Sequence, residues 1–331
     1  MKSLIIPVLT APWIPSESEL PNVLNTSVII RNGAEWTTWE EPAFHGAPQS
    51  FHTSCERLLH TFSGRASGVL MLGTTGEWPA MWPLQSLVAF SAMQQACPPD
   101  ITLYAGVLVG DAMVADQVRS AQSLGINDIV LWLNHTWNNI ARFQAAIWAL
   151  GAAWRLLLYN LPTFRPADKK FILSCLEDPR VLGFKDSSGD PAFFSWLLSL
   201  KKERPYLKIF HGSEPAYGDL PDEELRNVDG LVSGNANLHP ALLHEYTKNP
   251  RNAAVARGRS DLHTSIVGSS RSSHNNPVVS IEEHILQLKR KLVRLCVSPH
   301  DQQRKIFSHG QDVLLSHPRG SLFRTYRSNK A

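Results

Sequence analysis

Four short segments of this chain carry residue types that could work on a carbonyl compound: Gly73-Thr74-Thr75-Gly76-Glu77, Tyr159-Asn160-Leu161-Pro162, Gly183-Phe184-Lys185-Asp186-Ser187-Ser188-Gly189-Asp190 and Gly230-Leu231-Val232-Ser233-Gly234-Asn235-Ala236-Asn237. Lys185 closes an apolar run that starts at Val181. An amine at the end of a buried strand is desolvated, which disfavours the charged form, and a neutral amine can attack a ketone to give an imine. The imine then acts as an electron sink for making or breaking a carbon–carbon bond. By position alone, a plainer reading is a snorkelling lysine paired with its neighbour Asp186. Tyr159 ends another apolar run, where a phenol could donate to a carbinolamine and shuttle protons. Its plainer reading is a buried tyrosine with a satisfied hydroxyl. The Gly-Thr-Thr-Gly turn exposes backbone N–H groups and two hydroxyls that suit a small carboxylate, although such strings also make ordinary tight turns.

Residues of this kind act together only if a fold brings their strand ends to one place. Short β-branched or apolar runs recur at Leu4–Leu9, Gly68–Leu72, Thr102–Val107, Asp128–Trp132, Arg155–Tyr159, Val181–Lys185, Lys208–Phe210 and Gly230–Val232. Helical spacing fills several gaps, at Met81–Ala96, Ala112–Leu124, Asn139–Leu150, Lys169–Leu176 and Ala192–Lys201. This alternation predicts an α/β protein with a parallel sheet, and eight such units close into a (β/α)8 TIM barrel. An open doubly wound sheet is the alternative, but no Gly-x-Gly-x-x-Gly turn follows the first run. The catalytic barrel is expected over residues 1–248, with an irregular insertion near 22–50 before a helix at Phe51–Phe62. Residues 249–331 are expected to be a basic linker (Asn249–Asn276) and a partly disordered C-terminal helical extension around Ser280–Val297.

Composition narrows the class. A chain of 331 residues, 43% apolar, accommodates one barrel plus extensions. The four cysteines form no CxxC pair, so reduced thiols in a cytoplasmic protein are expected rather than zinc or disulfides. The 13 histidines form no HxH or HExxH ligand motif, which sets a metal-dependent aldolase lower. His211 sits next to Gly212 and could reach a substrate, with a core position the commoner outcome for such a residue. No apolar run approaches the ~20 residues of a membrane span. The opening run is broken by Pro7 and Pro12, and is read as a strand rather than a signal peptide. The net charge of +3 hides a basic tail, because residues 251–331 hold 14 Lys/Arg against 5 Asp/Glu. Such a tail can contact nucleic acid, but no aromatic or motif pattern accompanies it, and a solvated end is expected instead.

Taken jointly, the first three segments resemble the dihydrodipicolinate synthase / N-acetylneuraminate lyase family of pyruvate-dependent class I aldolases. Their order matches, as does their spacing of 85 residues from Thr74 to Tyr159 and 26 more to Lys185. The resemblance implies a carbon–carbon (or carbon–oxygen) lyase or synthase with Lys185 as the imine-forming lysine and Tyr159 as the proton-transfer residue. Thr74 and Thr75, beside Gly73, would hold the pyruvate carboxylate, with the Thr74 hydroxyl also in the proton relay. Val232 would line the pyruvate site, while Gly212, Ser213 and Glu214 would face the distal part of the substrate. The resemblance implies no metal and no organic cofactor, small-molecule partners (a 2-oxo acid and an aldehyde), and a homotetramer or homodimer. Two departures bear on the substrate. Dihydrodipicolinate synthases usually carry a relay tyrosine where this chain has Leu133, and a substrate-binding arginine where it has Phe164, with Arg165 one residue later, on a loop, able to substitute for it. Both fit a 2-keto-3-deoxy sugar acid aldolase better than 4-hydroxy-tetrahydrodipicolinate synthase, which joins pyruvate to aspartate semialdehyde. A non-catalytic 2-oxo-acid-binding relative is the alternative of another class.

Overall fold

The computed structural model describes residues 2–7, 49–73, 83–108, 118–119, 121–133, 154–160 and 168–267. The strands are β1 (Ser3–Pro7), β2 (Gly68–Met71), β3 (Thr102–Leu108), β4 (Asp128–Trp132), β5 (Arg155–Asn160), β6 (Val181–Asp186), β7 (Lys208–His211) and β8 (Gly230–Val232). They lie side by side in chain order as a closed barrel, every pairing parallel. The seam is β1 on β8, with Ser3 opposite Gly230 and Ile5 opposite Val232. Strands of such a barrel are covered on both faces, which is why they read as continuous apolar runs rather than alternating ones. The (β/α)8 expectation therefore stands.

Helices α1 (Gln49–Phe62) and α2 (Pro83–Ala96) precede a helical stretch of which residues 118–119 and 121–123 are described. After β5 come α3 (Lys169–Cys175), α4 (Pro191–Ser199), α5 (Glu214–Gly218), α6 (Asp222–Asn227), α7 (Pro240–Lys248) and α8 (Ala253–Val267). Asp168 and Asp190 cap α3 and α4 with side-chain oxygens that accept from the first-turn N–H groups. Phe62, Phe90, Phe184 and Phe194 fill the layer between helices and sheet.

The chain differs from expectation after Asn249. Residues read as a linker form α8, because composition concealed two local signals. The Asn252 side chain accepts from the N–H groups of Ala254 and Val255, at 3.0 and 3.2 Å, and so starts the helix. Gly258 and the buried Leu262 then let α8 lie against α7 and the core. The insertion near 22–50 falls outside the described residues except for the first turn of α1, and the Ser280–Val297 helix lies outside them altogether.

The β5–β6 pairing is irregular at one point, where the register slips by one residue. Leu156 is opposite Val181, but Leu157 is opposite Gly183, which leaves Leu182 without a partner. Gly183 at this slip has no room for a side chain, since a Cβ would collide with the carbonyl oxygen of Lys208 on β7. Gly183→Ala is expected to destabilise the fold by about 1–3 kcal/mol, the usual range for forcing a methyl into a packed site. Chemical denaturation measures this, and an unchanged midpoint would refute the close approach.

Candidate active site

The slip decides which side chains meet. Counted beyond it, Tyr159 is opposite Lys185 and Asn160 is opposite Asp186. Without it, Lys185 would sit opposite Asn160, and Tyr159 opposite Phe184. Successive residues of a strand point to opposite faces, so the Tyr159–Lys185 pair shares one face and the Asn160–Asp186 pair the other. Lys185 is buried, with 6% of its surface exposed, and its Nζ lies 3.6 Å from the centroid of the Tyr159 ring. A buried amine over a phenol ring is held by cation–π attraction when charged. The alternative of a lysine paired with Asp186 does not describe the site. The Asp186 carboxylate instead accepts from Asn160 Nδ2 at 2.8 Å and from the Ser188 hydroxyl at 2.9 Å.

The rest of the Lys-Asp-Ser-Ser-Gly-Asp segment builds the strand end. Ser187 N–H donates to the Asn160 carbonyl at 2.8 Å, continuing the β5–β6 ladder. Ser188 Oγ accepts from the N–H of Asp190 at 3.2 Å, a turn made possible by Gly189 at φ 72°. Asp190 then caps α4. The same rim is bonded on both sides, with Leu133 N–H to the Tyr159 carbonyl (2.8 Å) and Gly212 N–H to the Asp186 carbonyl (2.7 Å). Burial pushes the Asp186 carboxyl above its ordinary range, against the hydrogen bonds from Asn160 and Ser188 that pull it down.

Other expected site residues are placed as follows. Gly73 is buried directly after β2, behind Leu72, whose φ of 52° is a strained left-handed conformation for a branched side chain. Thr74, Thr75, Phe164 and Arg165 lie outside the described residues. Val232 is the buried last residue of β8. Gly212 follows β7 and packs against Ser187, leaving no room for a Cβ. Ser213 precedes α5, and its N–H donates to His211 Nδ1 at 3.0 Å. Glu214 is at the same barrel end, but its carboxylate is turned to the β8 loop. It accepts from Ser233 Oγ and, at 2.9 Å, from Asn235 Nδ2. Tyr246 of α7 donates to the Glu214 carbonyl at 2.9 Å.

His211 is a core residue. Burial pushes it down to about 4, so it is neutral at ordinary pH, and its ring packs 4.4 Å from that of Phe194. Sequence reasoning missed Asn160, Asp186, Ser188, Ser233 and Asn235. A signal existed for the first two, each one residue beyond a candidate catalytic side chain. Among the described residues, no group of three His, Cys, Asp or Glu could hold a metal, and no helix is long and apolar enough to cross a membrane. A cleft of about 160 Å³ at the opposite, N-terminal barrel face is lined by the Arg155–Asp128 ion pair and by Lys208 and Asp229. In such barrels that face serves stability, whereas chemistry sits at the other end.

No family model matches the chain. Its sequence is 26% identical over 207 residues to a 4-hydroxy-tetrahydrodipicolinate synthase of Chlamydia pneumoniae, a match covering 60% of this chain and 68% of that protein. That likeness accompanies the Lys185 and Tyr159 segments on neighbouring strands of one barrel. The chain is similar to the dihydrodipicolinate synthase / N-acetylneuraminate lyase family. Solved structures agree with the (β/α)8 fold. The dihydrodipicolinate synthase of Bacteroides thetaiotaomicron superposes with a TM-score of 0.64 at 16% identity, covering 95% of this chain and 97% of that one. The 2-keto-3-deoxygluconate aldolase of Picrophilus torridus gives 0.59 at 20% identity, covering 87% and 93%.

Proposed function

We propose that this protein is a member of that family, that it adds to, or releases, pyruvate or a similar 2-oxo acid through an imine on Lys185, and that its substrates are of the 2-keto-3-deoxy sugar acid type. The observation that carries the reading is the buried Lys185 amine seated over the Tyr159 ring at adjoining strand ends. The Lys185 amine attacks the C2 carbonyl, the carbinolamine loses water, and the resulting imine accepts the electrons of the C3–C4 bond as it breaks. Tyr159 hands protons to and from the carbinolamine and the aldehyde oxygen. Thr74 and Thr75 fix the carboxylate, and Arg165 takes the part of the arginine that Phe164 replaces. No cofactor is called for, because the imine itself supplies the electron sink. Holding the keto acid and the amine together accounts for much of the expected rate.

Leu133 favours the sugar-acid substrate. It is buried, its N–H is bonded to the Tyr159 carbonyl, and its side chain has no proton to pass where a synthase carries a tyrosine. The second reading is 4-hydroxy-tetrahydrodipicolinate synthase itself, favoured by the name of the Chlamydia pneumoniae relative. A panel of 2-keto-3-deoxy acids, and aspartate semialdehyde with pyruvate, separates them. Pyruvate release from a 2-keto-3-deoxy acid is the expected result, and consumption of aspartate semialdehyde instead would establish the second. Turnover of neither, with imine formation intact, would leave a binding protein.

A further inference from the structure

We propose that Asn160 and Asp186 are positioning residues that hold β5 and β6 in the one register that seats Lys185 beside Tyr159. The proposal rests on the reading of Lys185 as the imine lysine. The sheet alone permits two registers here, since the ladder below Leu182 is in step and the ladder above it is one residue ahead. Only the slipped register puts Asn160 opposite Asp186, and only there can Asn160 Nδ2 bond the carboxylate at 2.8 Å. Both residues are fully enclosed, with 2% and 1% of their surface exposed, so water does not replace a lost partner. A buried carboxylate deprived of its donor is costly, and the slipped register is selected for that reason.

The second carboxylate oxygen extends the clamp. It accepts from Ser188 Oγ, which in turn accepts from the N–H of Asp190, the cap of α4. A continuous set of bonds thus runs from the end of β5 to the start of α4, on the face of the sheet opposite the Lys185 amine. No hydrogen bond joins these side chains to the Lys185 amine. Their effect passes through the strand, because each is bonded in sequence to the residue it positions.

The test is the rate at which pyruvate and borohydride fix an adduct on Lys185, measured against pyruvate concentration in the intact protein. Asn160→Ala is expected to slow trapping about 10²-fold at saturating pyruvate, the scale of a 1 Å misplacement, with the half-saturating pyruvate concentration little changed. Asp186→Asn keeps its Oδ1 as an acceptor for Asn160 Nδ2 and offers its own Nδ2 as a donor to the Ser188 hydroxyl, and is expected to stay within about threefold of wild type, a rescue that loss of packing alone would not give. Trapping by Asn160→Ala at the wild-type rate would overturn the positioning role while leaving the imine reading in place. Absence of any adduct on the wild-type protein would overturn both. Should Asn160→Ala fail to fold, Ser188→Ala frees only the second oxygen of Asp186 and carries the same comparison. A several-fold loss of rate then supports the clamp, and no loss overturns it.

Discussion

Treated with pyruvate and borohydride, the wild-type protein is expected to carry one reduced adduct, on Lys185, and the Lys185→Ala variant none. Attack by the amine on C2 expels water, and hydride then reduces the C=N bond to a secondary amine that survives digestion and can be located by mass spectrometry. Three other described lysines are a built-in control. Lys201 and Lys208 pair with Asp229, and Lys248 with Glu245, at or near the protein surface. Lys185 is enclosed and has the Tyr159 ring rather than a carboxylate against its amine. Turnover should fall by roughly 10⁴-fold or more in Lys185→Ala, on the order of 5 kcal/mol of barrier, since the electron sink itself is removed. An adduct on a different lysine, or residual turnover near wild type, would remove the basis of the proposed mechanism.

Tyr159→Phe has the second-largest expected effect and separates two contributions of one side chain. The ring that packs against the Lys185 amine is kept, while the hydroxyl that would move protons is lost. General acid–base catalysis is worth roughly 10²–10⁴-fold, so kcat should fall by that factor, about 3–5 kcal/mol of barrier. Binding of pyruvate should change little, because the aromatic wall remains. Trapping should persist at a reduced rate. A variant with wild-type kcat would mean that another group transfers the proton, and one that binds no pyruvate would mean that the hydroxyl holds substrate rather than moving protons.

Much of the architecture is legible in the chain because each barrel strand is a local statement. All eight apolar runs became strands, with ends displaced by no more than two residues. Helix α8 was hidden because its apolar contacts are sparse and its cap, Asn252, sits in a stretch that reads as polar linker. The candidate site was legible as residue types at strand ends. Its supporting bonds were not. Glu214 shows the difference: its type and place point towards substrate, whereas its carboxylate is bonded to Ser233 and Asn235 on the next loop.

By itself, the order of residues determined that an amine and a phenol stand at the ends of neighbouring apolar strands, 26 residues apart. It could not determine that they face each other. Pairing between two strands is a choice among registers, and a shift of one residue exchanges the faces of every side chain beyond it. The slip at Leu182, the crowding of Gly183 by the Lys208 carbonyl and the buried Asn160–Asp186 bond make that choice. All three depend on partners from other strands or on burial from both sides, and so exist only once the barrel has closed.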